Sequence, residues 1–531
     1  MFFNKRVGWP RPIKSQQQQQ QQKQRQRYHH TQQPNDQLPF LSRSRFSALP
    51  HFHATAAHEH DANLTLFIAI LYVIDMFGVF PFVTLPALLV ELGFFGIPLV
   101  ISVVVLQIYT SFLLSECWTM AQSLDSSISN KSRYPYAAIA DLAYGPYASF
   151  LVTILLDVSI FANGIPNIVM ASQNLELVGD RMTNGQFIFS FCYWAIIVGI
   201  FLCPMAWLGS PKNMRGLAIC SAVVMIVIVI LLWFCLFTAS PIGKPFEGVS
   251  FELPSFLTIL SGYSILAFQF DIHPMLLTLQ IDMRQKNKVG WASFSGIATT
   301  STMAILGSII AAYKFGTMIA ENVLETLPRS LPLYILLILV TVQLCFSVTV
   351  GSSALFMQVE NFFKISEVFS LKRVFIRSTV VGLQVMISEF LPNFDALMDI
   401  VGGTITGPLV FILPPLLYRR MVQLERYHQR IATEAAYGSL PLDLNYEPLE
   451  GPPPHMEPNT RITLAALLDV CWLRTIYTFN RLQCDLSCSM AVLLFGILAT
   501  FFSTYLNLFQ LNELFRNNSP CFHNLTASNN N

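Results

Sequence analysis

Charge is what this chain has least of. Asp, Glu, Lys and Arg make up 12% of its 531 residues, and Lys plus Arg exceed Asp plus Glu by one. So sparse and balanced a complement offers no field for nucleic acid or for an acidic partner. The apolar stretches also lack a Ser-His or His-rich constellation, which argues against an enzyme, and a ring of charges, which argues against an ion pore. No short apolar core of a cleavable signal precedes the first long apolar stretch, so that stretch is expected to direct insertion itself. Of the ten cysteines, Cys192, Cys203, Cys220, Cys235 and Cys345 fall within apolar stretches and read as small packing residues. Only Cys521 lies clearly outside, which leaves no intramolecular extracellular disulfide and makes that thiol free or paired between chains.

What is present is apolar: 53% of residues, with a mean hydropathy of +0.50. Such a chain reads as a polytopic, all-α membrane protein with membrane lipid around it. About 20 apolar residues cross about 30 Å of hydrocarbon. Eleven stretches reach or approach that length, at 63–90, 96–119, 147–172, 186–208, 214–238, 254–279, 290–313, 332–357, 375–391, 394–418 and 485–509. The ninth is short and carries Arg377 and Glu389.

Basic residues stay on the cytoplasmic side of inserting helices. With the N-terminus inside and the C-terminus outside, 27 of the 32 Lys and Arg face the cytosol, and only Arg181, Lys244, Lys314, Arg329 and Arg516 do not. Sequons at Asn517 and Asn524 then fall outside, where glycosylation occurs. Residues 1–58 form a Gln-rich, disordered cytosolic tail, 59–509 a membrane domain and 510–531 a short extracytoplasmic tail. The 419–484 segment is a cytosolic loop in which Tyr446-Glu-Pro-Leu449 fits the pattern read by sorting adaptors. Histidines at 51, 53, 58 and 60 lack partner spacing for a metal and read as a solvated linker.

Two stretches break. Asp75-Met-Phe-Gly78-Val79-Phe80-Pro81-Phe82 puts glycine and proline inside the first, and Phe268-Gln-Phe270-Asp271-Ile-His273-Pro274 puts proline and two ionisable groups inside the sixth. Backbone groups freed by proline cannot face lipid, so both breaks belong in protein or beside an aqueous cavity. They occupy corresponding places in two five-helix halves. Interrupted first helices in both halves point to an inverted-repeat transporter, whose half-helix ends face substrate carboxylate and coupling cation.

The order of several fragments carries a family resemblance: Leu85-Pro-Ala-Leu-Leu-Val-Glu-Leu-Gly93, Tyr134-Pro135, Gly145-Pro146, Gln173-Asn-Leu175, His273-Pro274, Gln280-Ile-Asp-Met283, Leu391-Pro-Asn-Phe394, Val401-Gly-Gly403 and Pro408-Leu-Val-Phe-Ile-Leu-Pro-Pro415. Over about Asn63 to Phe509 the chain resembles the amino acid/auxin permease family, including its proton-coupled amino acid transporters. The resemblance implies the 5+5 inverted repeat of the amino acid, polyamine and organocation transporters. It also implies amino-acid transport linked to protons or sodium, with no other cofactor. Two departures stand out: the family's Gly-x-Gly falls on Val79 and Pro81, and Phe-Asp-Ile-His replaces a glycine-rich segment. Side chains therefore crowd where bare backbone usually meets the substrate.

Candidate substrate contacts are Gly78, Val79, Phe80, Pro81, Phe82, Phe268, Phe270 and Asp271, with Asp157 and Phe161 sharing one face of the third helix. Asp271 and His273 form a candidate proton-responsive pair, alongside a structural reading of each as a cap or hydrogen-bonded group. Ser352 and Ser353, with Ser347 and Thr349, supply hydroxyls for a cation site or for helix packing. Asp75, one turn before the break, reads as a cap. The expected function is proton-coupled symport of neutral amino acids by alternating access, with an amino-acid-sensing receptor as the alternative. The membrane is expected to be the plasma membrane or an endolysosomal one.

Overall fold

A computed structural model describes residues 64–128, 134–184, 189–207, 211–242, 246, 249–365, 369–391, 393–438 and 481–517. The 1–58 tail, its histidines, Tyr446–Leu449 and Asn524 lie outside the described residues. Every apolar stretch coincides with helix. The first holds α1 (Leu66–Phe77), α2 (Phe80–Val83) and α3 (Leu85–Leu92), and the second α4 (Gly96–Leu124). A short α5 (Pro135–Tyr144) precedes α6 (Pro146–Thr183), α7 (Phe191–Trp207) and α8 (Pro211–Thr238). The sixth stretch divides into α9 (Phe256–Gln269) and α10 (His273–Asp282), followed by α11 (Val289–Phe315) and the one-turn α12 (Val323–Thr326). The eighth divides into α13 (Leu331–Gly351) and α14 (Ser353–Phe362), and the ninth is α15 (Leu371–Phe390). The tenth runs through α16 (Phe394–Ile400), two π-helical segments at Val401–Thr406 and Pro408–Ile412, and α17 (Leu413–Gly438). α18 (Arg481–Asn517) closes the described chain.

Local chemistry explains these limits. Ser255, Ser330, Ser370 and Asn393 accept the N–H groups of Thr258, Leu333, Arg373 and Ala396, so side-chain oxygens satisfy first-turn donors. Pro135 and Pro146 each open a helix, where their missing N–H costs nothing, and Gly145 between them takes φ 89°. α17 and α18 each outrun their apolar stretches, because helical hydrogen bonding continues into polar sequence.

Among the described residues, seven helical runs are long and apolar enough to cross a membrane by length and composition, and α1 and α7 are shorter apolar helices. The protein is an all-helical, integral multi-pass membrane protein. One of the seven, Leu85–Leu124, would extend about 60 Å if straight, twice the hydrocarbon thickness. It bends at Gly93, which holds φ 58°. α15 is not among the seven because it buries charge. Its Arg373 and Arg377 both bond Glu360 of α14, at 2.9 and 2.5 Å, and Arg377 also bonds the Ala206 carbonyl of α7.

Packing groups the helices. α11 lies against α1, α3 and α4, and α9 and α10 lie against α4. A second set places α6 against α7, α13 and α15, with α8 bridging α13 and α1. Cys192, in the first turn of α7, is disulfide-bonded, which corrects its reading as a packing residue. It sits half-buried at a helix end, where its sulfur is not enclosed by the core.

Candidate functional site

The first break is narrower than its sequence suggests. Gly78 takes φ 60° and ψ −151°, a region open to glycine almost alone, and its N–H reaches back to the Asp75 carbonyl at 3.0 Å. Helix resumes at Phe80, so Phe80, Pro81 and Phe82 form a turn and are not unwound backbone. Pro81 occupies an early helical position that needs no donor. Thr84 interrupts the run again, its Oγ1 donating to the Phe80 carbonyl at 3.0 Å.

The second break leaves Phe270, Asp271 and Ile272 outside helix. Asp271 caps α10: its Oδ1 accepts the His273 N–H at 3.0 Å. Its Oδ2 is buried without a hydrogen-bond partner among the described residues. The fully buried His273 ring places Nδ1 3.5 Å from Asp271 Oδ1 and Nε2 3.0 Å from Thr110 Oγ1 on α4. Thr110 Oγ1 also lies 3.1 and 3.2 Å from the carbonyls of Leu106 and Gln107.

The two broken runs lie antiparallel with their breaks level. Leu64, just before α1, bridges Met283, just after α10. At the other end, the N–H of Phe94 bonds the Ser250 carbonyl ahead of α9 at 3.1 Å. Between these ends Phe77 packs edge-on to Phe270 at 5.8 Å, and Phe80 packs against Phe268 at 5.4 Å and Phe394 at 5.5 Å. Aromatic rings thus fill the space where glycines would bare the backbone. Gly78 is the exception, since no heavy atom lies within 4 Å of where a Cβ would stand. Gln107 of α4 donates to the Ala267 carbonyl at 3.2 Å and steadies the end of α9.

Other sequence candidates are placed elsewhere. Asp157, within α6, accepts the hydroxyl of Tyr134, the residue before α5, at 2.7 Å. The carbonyl of Phe161 accepts Gln384 of α15 at 3.0 Å, and Gly164 opens the room that Gln384 occupies. Ser352 joins α13 to α14, and the hydroxyls of Ser353 and Thr349 return to the carbonyls of Val350 and Cys345 at 2.6 and 2.8 Å. Their donors serve the local helix.

Two features escape sequence reading. Asp75 is not a cap: its Oδ1 accepts Ser221 of α8 at 2.9 Å and Gln343 of α13 at 3.0 Å, joining three helices beside the first break. Gln343, a lone amide in an apolar stretch, was the available signal. Gly402, in the first π-helical segment, sits so close to Ser264 of α9 that a Cβ would stand 2.8 Å from its carbonyl carbon.

A cavity of about 480 Å³ lies beside α3 and α9. Thr84, Ser250 and Ile265 line it, together with the carboxylates Glu91, Glu321 and Asp395, and no basic residue does. Thr84 connects it to the second break, because its Oγ1 accepts Gln269, the last residue of α9, at 2.6 Å.

The family model described as "Transmembrane amino acid transporter protein" matches residues 63–435. Among curated proteins of Arabidopsis thaliana, the chain is 24% identical to amino acid transporter AVT1E over 46% of this chain and 45% of that one. It is 22% identical to amino acid transporter AVT1D over 46% and 43%, and 22% identical to amino acid transporter AVT1J over 66% and 81%. The match thus spans under half the length of the first two relatives.

Proposed function

The chain belongs to the transmembrane amino acid transporter family, and from that premise we propose that it moves neutral amino acids by alternating access, coupled to protons. The observation that carries this reading is the antiparallel pair of broken helices, level at Gly78 and Asp271 and adjoined by a cavity. In this reading all eleven apolar stretches cross the membrane, with the N-terminus inside. The set containing α1, α9, α10 and α11 then rocks against the set containing α6, α7, α13 and α15.

The residues support each part of the chemistry. The α10 N-terminus and Gly78 backbone suit a substrate carboxylate, and the free Oδ2 of Asp271 suits its ammonium group. Phe77, Phe80, Phe268 and Phe270 surround that position with apolar surface, which favours an uncharged side chain.

His273 gives a route for the proton. In its neutral form Nδ1–H points to Asp271 and Nε2 accepts from Thr110. On gaining a proton, Nε2 also donates, and the Thr110 hydroxyl turns to the carbonyl of Leu106 or Gln107. One hydroxyl rotation therefore keeps Nε2 matched in both states.

Initial-rate uptake of radiolabelled neutral amino acids into proteoliposomes tests this, at several external pH values with and without sodium. Acid outside should accelerate uptake, and Asp271→Asn should abolish it or flatten its pH response. Substrate binding without net flux would defeat the transport reading. Unchanged uptake and pH response in Asp271→Asn would remove Asp271 from coupling.

A further inference from the structure

The helices α4 and α10 meet along a polar seam that the substrate site does not use. On α4, Gln107, Thr110, Ser111, Ser115 and Trp118 recur at three- and four-residue spacing and share one face. On α10, His273 and Gln280 stand about two turns apart on one face. All of these side chains are buried, Ser115 being the most accessible at 6%. Polar groups at such depth between apolar helices are costly and point to function.

The seam is built in rungs of parallel register. Gln107 donates to the Ala267 carbonyl at 3.2 Å, and the Thr110 hydroxyl lies 3.0 Å from His273 Nε2. Gln280 Nε2 reaches the carbonyl and hydroxyl of Ser115 at 3.3 and 3.4 Å. The same nitrogen lies 3.4 Å from the Lys286 carbonyl, in the exposed connection between α10 and α11. The rungs therefore run from the second break to one surface of the molecule.

Several groups along them stay open. Gln107 Oε1, Gln280 Oε1 and Trp118 Nε1 are buried with no partner among the described residues. Buried polar groups of this kind are satisfied by ordered water. From Thr110 to Ser115 the helix rises about 7.5 Å, a gap that two waters span at about 2.8 Å per hydrogen bond. Leucine occupies that gap. Leu114, three residues after Ser111, and Leu277, four after His273, share the two faces and are buried.

We propose that this seam carries the proton from His273 to the surface that bears Lys286, with Leu114 and Leu277 as its gate. Resting on the proton-coupled reading above, the route delivers to the cytosol. His273 Nε2 releases its proton to the Thr110 hydroxyl, whose own proton passes to water as the leucines part. Ser115 takes that proton and hands its own onward, while the open amide oxygen of Gln280 orients the water. One proton enters and one leaves, and His273 returns to neutral imidazole. The titratable groups around His273 are Asp271 at its own break, Tyr136 of α5, which feels the charge of Asp271, and Cys117 of α4 beside Tyr136. The Tyr136 hydroxyl is committed to the Leu409 carbonyl at 2.7 Å, so it does not divert the proton.

Full-length protein in right-side-out proteoliposomes, with a pH-sensitive dye in the lumen and a potential negative inside, tests the route. Without substrate, Leu114→Asn should wet the gate and leak protons where the wild type does not. Adding Ser115→Ala and Gln280→Leu to that chain should suppress the leak. With an equimolar mixture of neutral amino acids outside, the Ser115→Ala, Gln280→Leu double variant should slow proton arrival roughly tenfold, the effect of about one lost hydrogen bond on a barrier. Its substrate affinity and thermal midpoint should match the wild type. No leak in folded Leu114→Asn, a leak that survives loss of Ser115 and Gln280, or wild-type proton arrival in the double variant overturns the route. So does a loss of affinity or midpoint large enough to account for the slowing, which would make the seam a packing device. If Leu114→Asn fails to fold, proton arrival in the double variant decides. If wild type moves no protons with substrate, the proton-coupled reading falls, and the leak, which needs no substrate, still decides the seam.

Discussion

Alanine at position 78 isolates the cost of the first helix break. Gly78 holds φ 60° and ψ −151°, and nothing lies within 4 Å of the site a methyl group would take. The new side chain meets no neighbour, so the penalty is one of backbone conformation, about 1–3 kcal/mol. That corresponds to a roughly 5- to 150-fold shift against the broken form. Gly402→Ala is the opposite experiment. Its Cβ would overlap the Ser264 carbonyl oxygen and stand 3.1 Å from Phe268 Cβ, so α9 and the π-helical segment must separate. Overpacking of this kind costs about 1–3 kcal/mol, and more where backbone atoms must move. Thermal stability of the purified protein and initial-rate uptake in proteoliposomes together resolve the pair. Gly78→Ala should slow uptake with a modest loss of stability, and Gly402→Ala should lower both, stability more steeply. Wild-type uptake and stability in Gly78→Ala would refute the claim that the break depends on a glycine-only conformation.

Two further outcomes follow from charges outside the breaks. Glu360→Gln removes the carboxylate that Arg373 and Arg377 share, and breaking such a buried pair should cost about 3–5 kcal/mol, read as a lowered thermal midpoint. A midpoint within error of wild type would mean that the pairs contribute nothing to stability. At the cavity mouth, the Glu321 carboxyl is pushed above its usual range, first by burial and then by the charge of Glu91. Because its folded pKa exceeds its unfolded one, its stabilising contribution is present at acid pH and is lost as pH rises through the folded value. Glu321→Gln should therefore be more stable than wild type near neutral pH and converge with it on acidification. A difference that stays constant from acid to neutral pH counts against this assignment.

Helix content and the places where helices fail were legible in the sequence, because both are local. Twenty apolar residues in lipid must pair their own backbone groups, and Gly78, Pro81 and Pro274 disturb that pairing wherever the chain folds. Local rules misjudged partners. Asp75 reads as a cap until Ser221 and Gln343 arrive from positions far along the chain, and no local pattern names Tyr134 as the donor to Asp157. Cys192 reads as packing because hydropathy cannot distinguish a helix end from its middle. Val401-Gly-Gly403 had order but no purpose until Ser264 lay against Gly402.

The sequence by itself therefore determined an all-helical membrane protein with two interrupted runs. Only the tertiary structure decided that those runs lie antiparallel, that aromatic rings close the space between them, and that the cavity beside them is lined by acid. Side chains separated by hundreds of residues make those contacts, and a one-dimensional pattern does not encode which of them meet.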